Sequence, residues 1–188
     1  MPPKAKITRD EIVDTALELV RACGEDAINA RAVAVRLNCS TQPIFSNFAT
    51  MQELRRAVIE SAYKRYLGYL EREAEGGLYP MYKSTGMAYI RFAAEERELF
   101  KLLFMRDRTG EDTSPPPDFE AAKEMIVMAN GVTPEVANLM HLEMWCCVHG
   151  IGVMIATSFL NLEQELISTM LSDIYNGVRA KYAREDAR

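Results

Sequence analysis

From Thr8 to Tyr182 the apolar residues recur every three or four positions, and no sustained apolar/polar alternation bounded by turn residues marks a strand. Only helices satisfy that period, so the chain is expected to be all-α. The period is interrupted at Gly24, Gly76-Gly77, a loop from Asp107 to Asp118 holding three consecutive prolines, Gly131, and Leu160-Asn161-Leu162. These breaks predict helices over about 8–23, a short one opened by Asn29, another opened by Ser40, a long one from Thr50 to about 74, then 79–94, one through Leu99, Phe100, Leu103 and Phe104, and 119–130, 134–159 and 162–182. The proline loop is the expected mobile segment.

Local signals sharpen several ends. Thr8 with Glu11, and Thr50 with Glu53, have the spacing of capping boxes, and Asn161 with Gln164 repeats it. The first helix has an apolar face of Ile12, Ala16, Leu19, Val20 and Cys23, and the second a stripe of Val33, Ala34 and Leu37. Ser40 is expected to cap the third helix through the Gln42 amide, with Pro43 at the third helical position, where its missing N–H costs no intrahelical bond.

That third segment, Ser-Thr-Gln-Pro-Ile-Phe-Ser-Asn-Phe over Ser40 to Phe48, is barely two turns long, too short to be stable without packing. At about 100° per residue, Ile44 and Phe48 share one side while Gln42, Pro43 and Ser46 lie on or near the other, flanked by Thr41, Phe45 and Asn47. A short helix with two apolar anchors and a polar outer face, following a helix and a turn in which Asn38 tolerates the left-handed conformation, is the build of a helix-turn-helix. The expected DNA contacts are Arg31, Ser40, Thr41, Gln42, Pro43, Phe45, Ser46 and Asn47. Gln42, whose amide matches adenine, is the specificity candidate, and Lys4, Lys6 and Arg9 are further phosphate contacts.

Charge permits this without requiring it. The 188-residue chain has a net charge of -5, yet residues 1–56 carry eight basic and seven acidic side chains, leaving the acidic excess to the remainder. Four cysteines form no Cys-x-x-Cys pair, and His141 and His149 lack a carboxylate framework, so reduced thiols and no metal site are expected. No apolar run approaches the roughly 20 residues that cross a bilayer, and no apolar stretch follows the N-terminal charges, so a cytoplasmic protein without membrane contact is expected. No phosphate loop, nucleophile elbow or metal-binding helix pair points to catalysis, and no cofactor is expected.

At these residues the chain resembles the TetR family of bacterial transcriptional regulators. The family's module reads Ile-Ala, three variable residues, Gly-Val-Ser, three variable residues, Leu-Tyr-x-His-Phe, two variable residues and Lys-x-x-Leu. Here stand Val33-Ala34, Asn38-Cys39-Ser40, Ile44-Phe45-Ser46-Asn47-Phe48, Met51 and Leu54. Phe45 replaces the tyrosine whose hydroxyl commonly reaches a phosphate, Asn47 the histidine, and Met51 a lysine. Glu98 to Phe104 is similar to a Pro-Glu-Leu-Tyr-Arg-Leu-Met-Phe stretch of one subgroup, with Arg97 at the proline position. Trp145-Cys146-Cys147-Val148-His149-Gly150 fits that subgroup's Trp-x-x-x-His-Gly signature.

The resemblance implies a helix-turn-helix DNA-binding domain over 1–48 and an effector-binding and dimerisation domain over 49–188, the protein being a homodimer on a near-palindromic operator. Independently, the two long apolar-striped helices over 134–182 are expected to pack antiparallel and leave apolar surface for a partner. Phe104, Met105, Met125, Met144, Trp145 and His149 are the ligand-contact candidates. The methionine-rich body suits an apolar effector, with core filling the plain alternative. The expected function is a ligand-responsive repressor, with the long helix after Thr50 as the lever. The alternative is a helical interaction protein that has kept the fold and lost specific DNA binding, and a small helical enzyme ranks behind both.

Overall fold

The computed structural model describes residues 7–110 and 117–185. Lys4, Lys6 and residues 111–116 of the proline loop lie outside the described residues. All regular elements among the described residues are helical: α1 (Arg9–Cys23), a single 3-10 turn (Glu25–Ala27), α2 (Ala30–Arg36), α3 (Gln42–Asn47), α4 (Met51–Glu75), α5 (Met81–Glu95), α6 (Arg97–Phe104), α7 (Pro117–Asn130), α8 (Pro134–Ala156) and α9 (Gln164–Glu185). The chain divides into two compact units. One comprises Met1–Leu67 with Glu96–Arg106, the other Gly68–Glu95 with Asp107–Arg188.

In the first unit, α1 opens with the full capping box: Thr8 Oγ1 accepts from the Glu11 amide and the Glu11 carboxylate accepts from the Thr8 amide at 2.8 Å. Gly24, at φ +82°, ends the helix. Ile12, Ala16 and Val20 are buried as expected, but Val13 and Leu17 join them while Leu19 is only half-buried and Cys23 is exposed. The buried stripe is therefore rotated toward Val13, because α1 packs against α2, α3 and α6 together. Asn29 caps α2 through the Ala32 amide at 2.8 Å.

The long helix α4 begins with half of its expected box. Thr50 Oγ1 accepts from the Glu53 amide, but the Glu53 carboxylate reaches past Thr50 to the Ala49 amide at 2.9 Å. Its Leu54, Ala57, Val58, Ala62 and Tyr66 are buried. Within the unit, α6 lays Leu99, Phe100, Leu102 and Leu103 into the core, and the Phe104 ring meets Tyr66 edge-on at 5.3 Å.

The second unit is built around α8, which packs against α5, α7 and α9. Thr133 caps α8, its hydroxyl accepting from the Val136 amide, and Pro134 fills the first turn. By length and composition alone α8 is apolar enough to cross a membrane, which corrects the expectation that no such run exists. Packing against three helices accounts for the composition: Ala137, Met140, Met144, Val148, Ile151 and Ile155 are all buried. At Gly86 a Cβ would stand 3.3 Å from Val148 and 3.4 Å from Leu171, so glycine there lets α5 lie close against α8 and α9.

Two other expectations fail here. The sequence places the last helix from Leu162 with Asn161 as its cap, but α9 starts at Gln164, which puts Asn161 ahead of the cap position. The link from α8 is correspondingly longer, since α8 stops at Ala156 and Ser158 takes φ +59°.

Candidate nucleic-acid interface and the core of the helical body

α2 ends in a Schellman arrangement: the Cys39 amide donates to the Ala34 carbonyl at 3.0 Å and the Asn38 amide to that of Val35 at 3.1 Å. Asn38 takes φ +50° to close it. This turn aims the chain into α3. That helix starts one residue later than expected, at Gln42, with Thr41 at the cap position and no side-chain cap bond. Ser40 is thus not the cap, because Thr41 is already in helical conformation and its carbonyl accepts from the Ile44 and Phe45 amides. Pro43 occupies the second helical position, where it still removes no needed donor.

Ile44 and Phe48 are fully buried, which anchors α3 as the pattern requires. Outward stand Ser40, Gln42, Phe45 and Ser46, all exposed, with Thr41, Pro43 and Asn47 half-buried beside them. The Ser46 hydroxyl donates to the Gln42 carbonyl, and the Asn47 amide donates to the Pro43 carbonyl at 2.8 Å and to the Ile7 carbonyl at 3.5 Å. Asn47 therefore ties α3 to Ile7, the residue ahead of the Thr8 cap of α1. The Gln42 side-chain amide makes no hydrogen bond among the described residues and is exposed.

Arg31 is exposed and in no ion pair among the described residues. The same holds for Arg36 and Arg56, which sequence reasoning did not single out. Arg9 differs: its guanidinium lies 4.5 Å from the Phe48 ring centroid and 3.5 Å from Glu53, held against the module. Val35 on α2 and Phe45 on α3 are exposed apolar side chains, at 80% and 53%.

The ligand-contact candidates fall in both units. Phe104, half-buried, and Met105, 40% exposed, belong to the first. Met125, Met144, Trp145 and His149 belong to the second, where Met144 is buried and Trp145 stacks on His149 with centroids 5.0 Å apart and planes at 16°. His149 Nδ1 is 2.8 Å from the hydroxyl of the buried Tyr89. Desolvation lowers the His149 pKa, and with Tyr89 it pushes the phenol far above the ordinary range, so both partners are held neutral.

No family model matches the sequence, and no curated protein does. Among solved structures the chain is similar to a TetR variant from Acinetobacter baumannii AYE in complex with minocycline. The TM-score is 0.58 at 16% identity, and the match covers 95% of this chain and 98% of that one. The chain has the TetR fold. Its helix-turn-helix therefore sits at the N-terminal end of a TetR-like architecture and its helical body follows, as the residue patterns required.

In this TetR-like body a second tyrosine–histidine pair escaped sequence reasoning. Tyr82 Oη lies 3.0 Å from Nδ1 of His141, which also meets the Phe119 ring edge-on at 4.1 Å. Tyr82 and Tyr89 are seven residues apart on α5, and His141 and His149 eight apart on α8, so each pair shares a helix face. That spacing was the available signal. Among the described residues no group of three His, Cys, Asp or Glu is placed to hold a metal, and the four cysteines are unpaired.

Proposed function

We propose that this chain is a ligand-responsive transcriptional regulator, a repressor that binds a near-palindromic operator as a homodimer and is released by a small, apolar effector. The observation that carries the reading is α3: two fully buried anchors beneath an outer face where Gln42, Phe45 and Ser46 are open to a partner. Residues 1–48 are the DNA-binding domain and 49–188 the effector-binding and dimerisation domain, with action in the cytoplasm. Arg31, Ser40, Thr41, Pro43 and Asn47 flank the reading face and Gln42 reads adenine, while Phe45 and Val35 offer apolar contact to thymine methyl groups. A two-fold dimer places two copies of α3 in successive major grooves.

The minocycline bound by the TetR neighbour supports a small-molecule effector, and the Trp145-His149-Tyr89 cluster supports an aromatic one. The effector prefers a conformation in which the two α3 helices are wrongly spaced, and that difference in affinity lowers operator occupancy. α4 carries the change.

The test is fluorescence anisotropy against DNA from upstream of the chain's own gene, titrated with salt and competed with unrelated duplex. Tight, salt-sensitive binding that survives competition supports the reading, and a Gln42→Ala variant with unchanged affinity and base preference would remove α3 as its reader. The second reading, a helical interaction protein, draws on Asn47, whose amide is spent within its own chain, and on Phe45, which has no hydroxyl for a phosphate. It predicts no DNA binding even at low salt.

A further inference from the structure

His141 is 8% exposed, and its Nε2 is the one buried side-chain polar atom without a hydrogen-bond partner among the described residues of the second unit. Its surroundings are otherwise satisfied. Asn130 donates to the Tyr175 hydroxyl and to the Ile126 carbonyl, both at 2.8 Å, and Tyr175 packs on Tyr82 at 5.6 Å.

Counting hydrogens assigns the tautomer. If His141 donated from Nδ1, the Tyr82 hydroxyl hydrogen and the Nε2 lone pair would both lack partners. If Tyr82 donates, Nε2–H alone is left over. Every buried orphan is costly, so the arrangement that leaves one rather than two holds, and the orphan is a donor. A lone donor inside a wall of aromatic rings calls for an acceptor atom on an otherwise apolar partner.

Charge narrows that partner. Asp118 and Glu120 act on the imidazole from one side of the balance and Lys123 from the other, two carboxylates against one ammonium, which disfavours an anionic ligand. Among the described residues His141 belongs to no group of three side chains that could hold a metal. Phe119, half-buried in the first turn of α7 and perpendicular to the imidazole, is the side chain that has to turn aside.

We propose that His141 Nε2–H is the polar anchor of an effector site in the second unit, taking a flat apolar molecule that bears one neutral acceptor, a carbonyl or hydroxyl oxygen. Tyr82 and Tyr175 form its aromatic walls, and Phe119 is the wall that yields. This deepens the regulator reading and rests on it for the meaning of the ligand, though not for its binding.

The test titrates the full chain with three probes of one shape: 1-acetonaphthone, 1-ethylnaphthalene and 1-naphthoate. Binding is followed by Trp145 fluorescence and by the nitrogen-proton resonance of the His141 ring. The ketone is expected to bind about tenfold more tightly than the hydrocarbon, one hydrogen bond's worth, and to move the Nε2–H resonance, with the carboxylate weakest. His141→Leu exchanges the orphan imidazole donor for an unpaired Tyr82 hydroxyl, so its stability should stay near the parent's, and it should bind ketone and hydrocarbon alike. Phe119→Ala should tighten ketone binding. Equal affinity of the three probes, no binding, or ketone binding that leaves the His141 resonance unmoved overturns the site. DNA anisotropy on the same samples separates the two claims. Operator binding without ketone preference sinks this site alone, and ketone preference without DNA binding sinks the regulator reading alone.

Discussion

Arg21 and Glu96, seventy-five residues apart, are joined by two hydrogen bonds, Nε to Oε2 at 2.7 Å and Nη2 to Oε1 at 2.9 Å. The Glu96 carboxylate is almost wholly buried and also accepts from Arg65 Nε at 2.8 Å, so one side chain ties α1, α4 and the start of α6. Two partly exposed guanidiniums together offset the desolvation of that carboxylate.

Removing that charge should loosen the first unit. Glu96→Gln keeps the volume and leaves two guanidiniums without their anion, and a loss of about 2–3 kcal/mol is expected. Urea unfolding followed by circular dichroism reads it, and an unchanged midpoint would show that the cluster is ornamental.

Asn38 tests the turn ahead of α3. Its φ of +50° penalises a Cβ-bearing residue without a side-chain amide, so Asn38→Ala should cost about 1 kcal/mol while Asn38→Gly should be neutral. Thermal melts of the two variants compare them directly. Equal melting temperatures would contradict the strain argument.

Acid should destabilise the second unit through His141. Burial lowers its pKa to about 4 from the ordinary 6.5; Asp118 and Glu120 pull it up and Lys123 pushes it further down. Between those values the unfolded chain binds the extra proton. The stability from this group is therefore complete above about pH 6.5 and drains as pH falls toward 4, by at most about 3 kcal/mol. His149, lowered in the same direction by burial, adds to it. Unfolding free energies across that range should fall with acid in the parent and fall less in His141→Phe; parallel curves would rule the assignment out.

The exposed stripe of α8 bears on assembly. Leu139, Leu142 and Trp145 are 48%, 45% and 37% exposed, with Cys146 beside them, and they lie three or four residues apart on one face. If this face pairs two copies, Leu142→Glu should give a monomer in analytical ultracentrifugation and weaken operator binding at least tenfold. A variant that sediments as the parent does would move the interface elsewhere.

Much of the helix-turn-helix was legible because its determinants are local. The Thr8-Glu11 box, the Asn29 cap, Gly24 and the left-handed Asn38 act within one turn of backbone, and Ile44 with Phe48 reveals the buried side of α3 by spacing alone. The start of α3 was misread at Ser40 because a serine followed by proline offers a cap that Thr41, already helical, leaves unused. Asn161 failed similarly, since α9 begins only after a longer link.

The sequence by itself determined the helices, most of their ends and the outer face of α3, since these follow from interactions between residues at most four apart. Tertiary structure alone decided that Glu96 would meet Arg21 and Arg65, that Tyr82 would meet His141, and that Nε2 of that histidine would be left without a partner. Those outcomes join side chains 31 to 75 residues apart, and which of many possible partners meet depends on how whole helices pack, which no local pattern encodes.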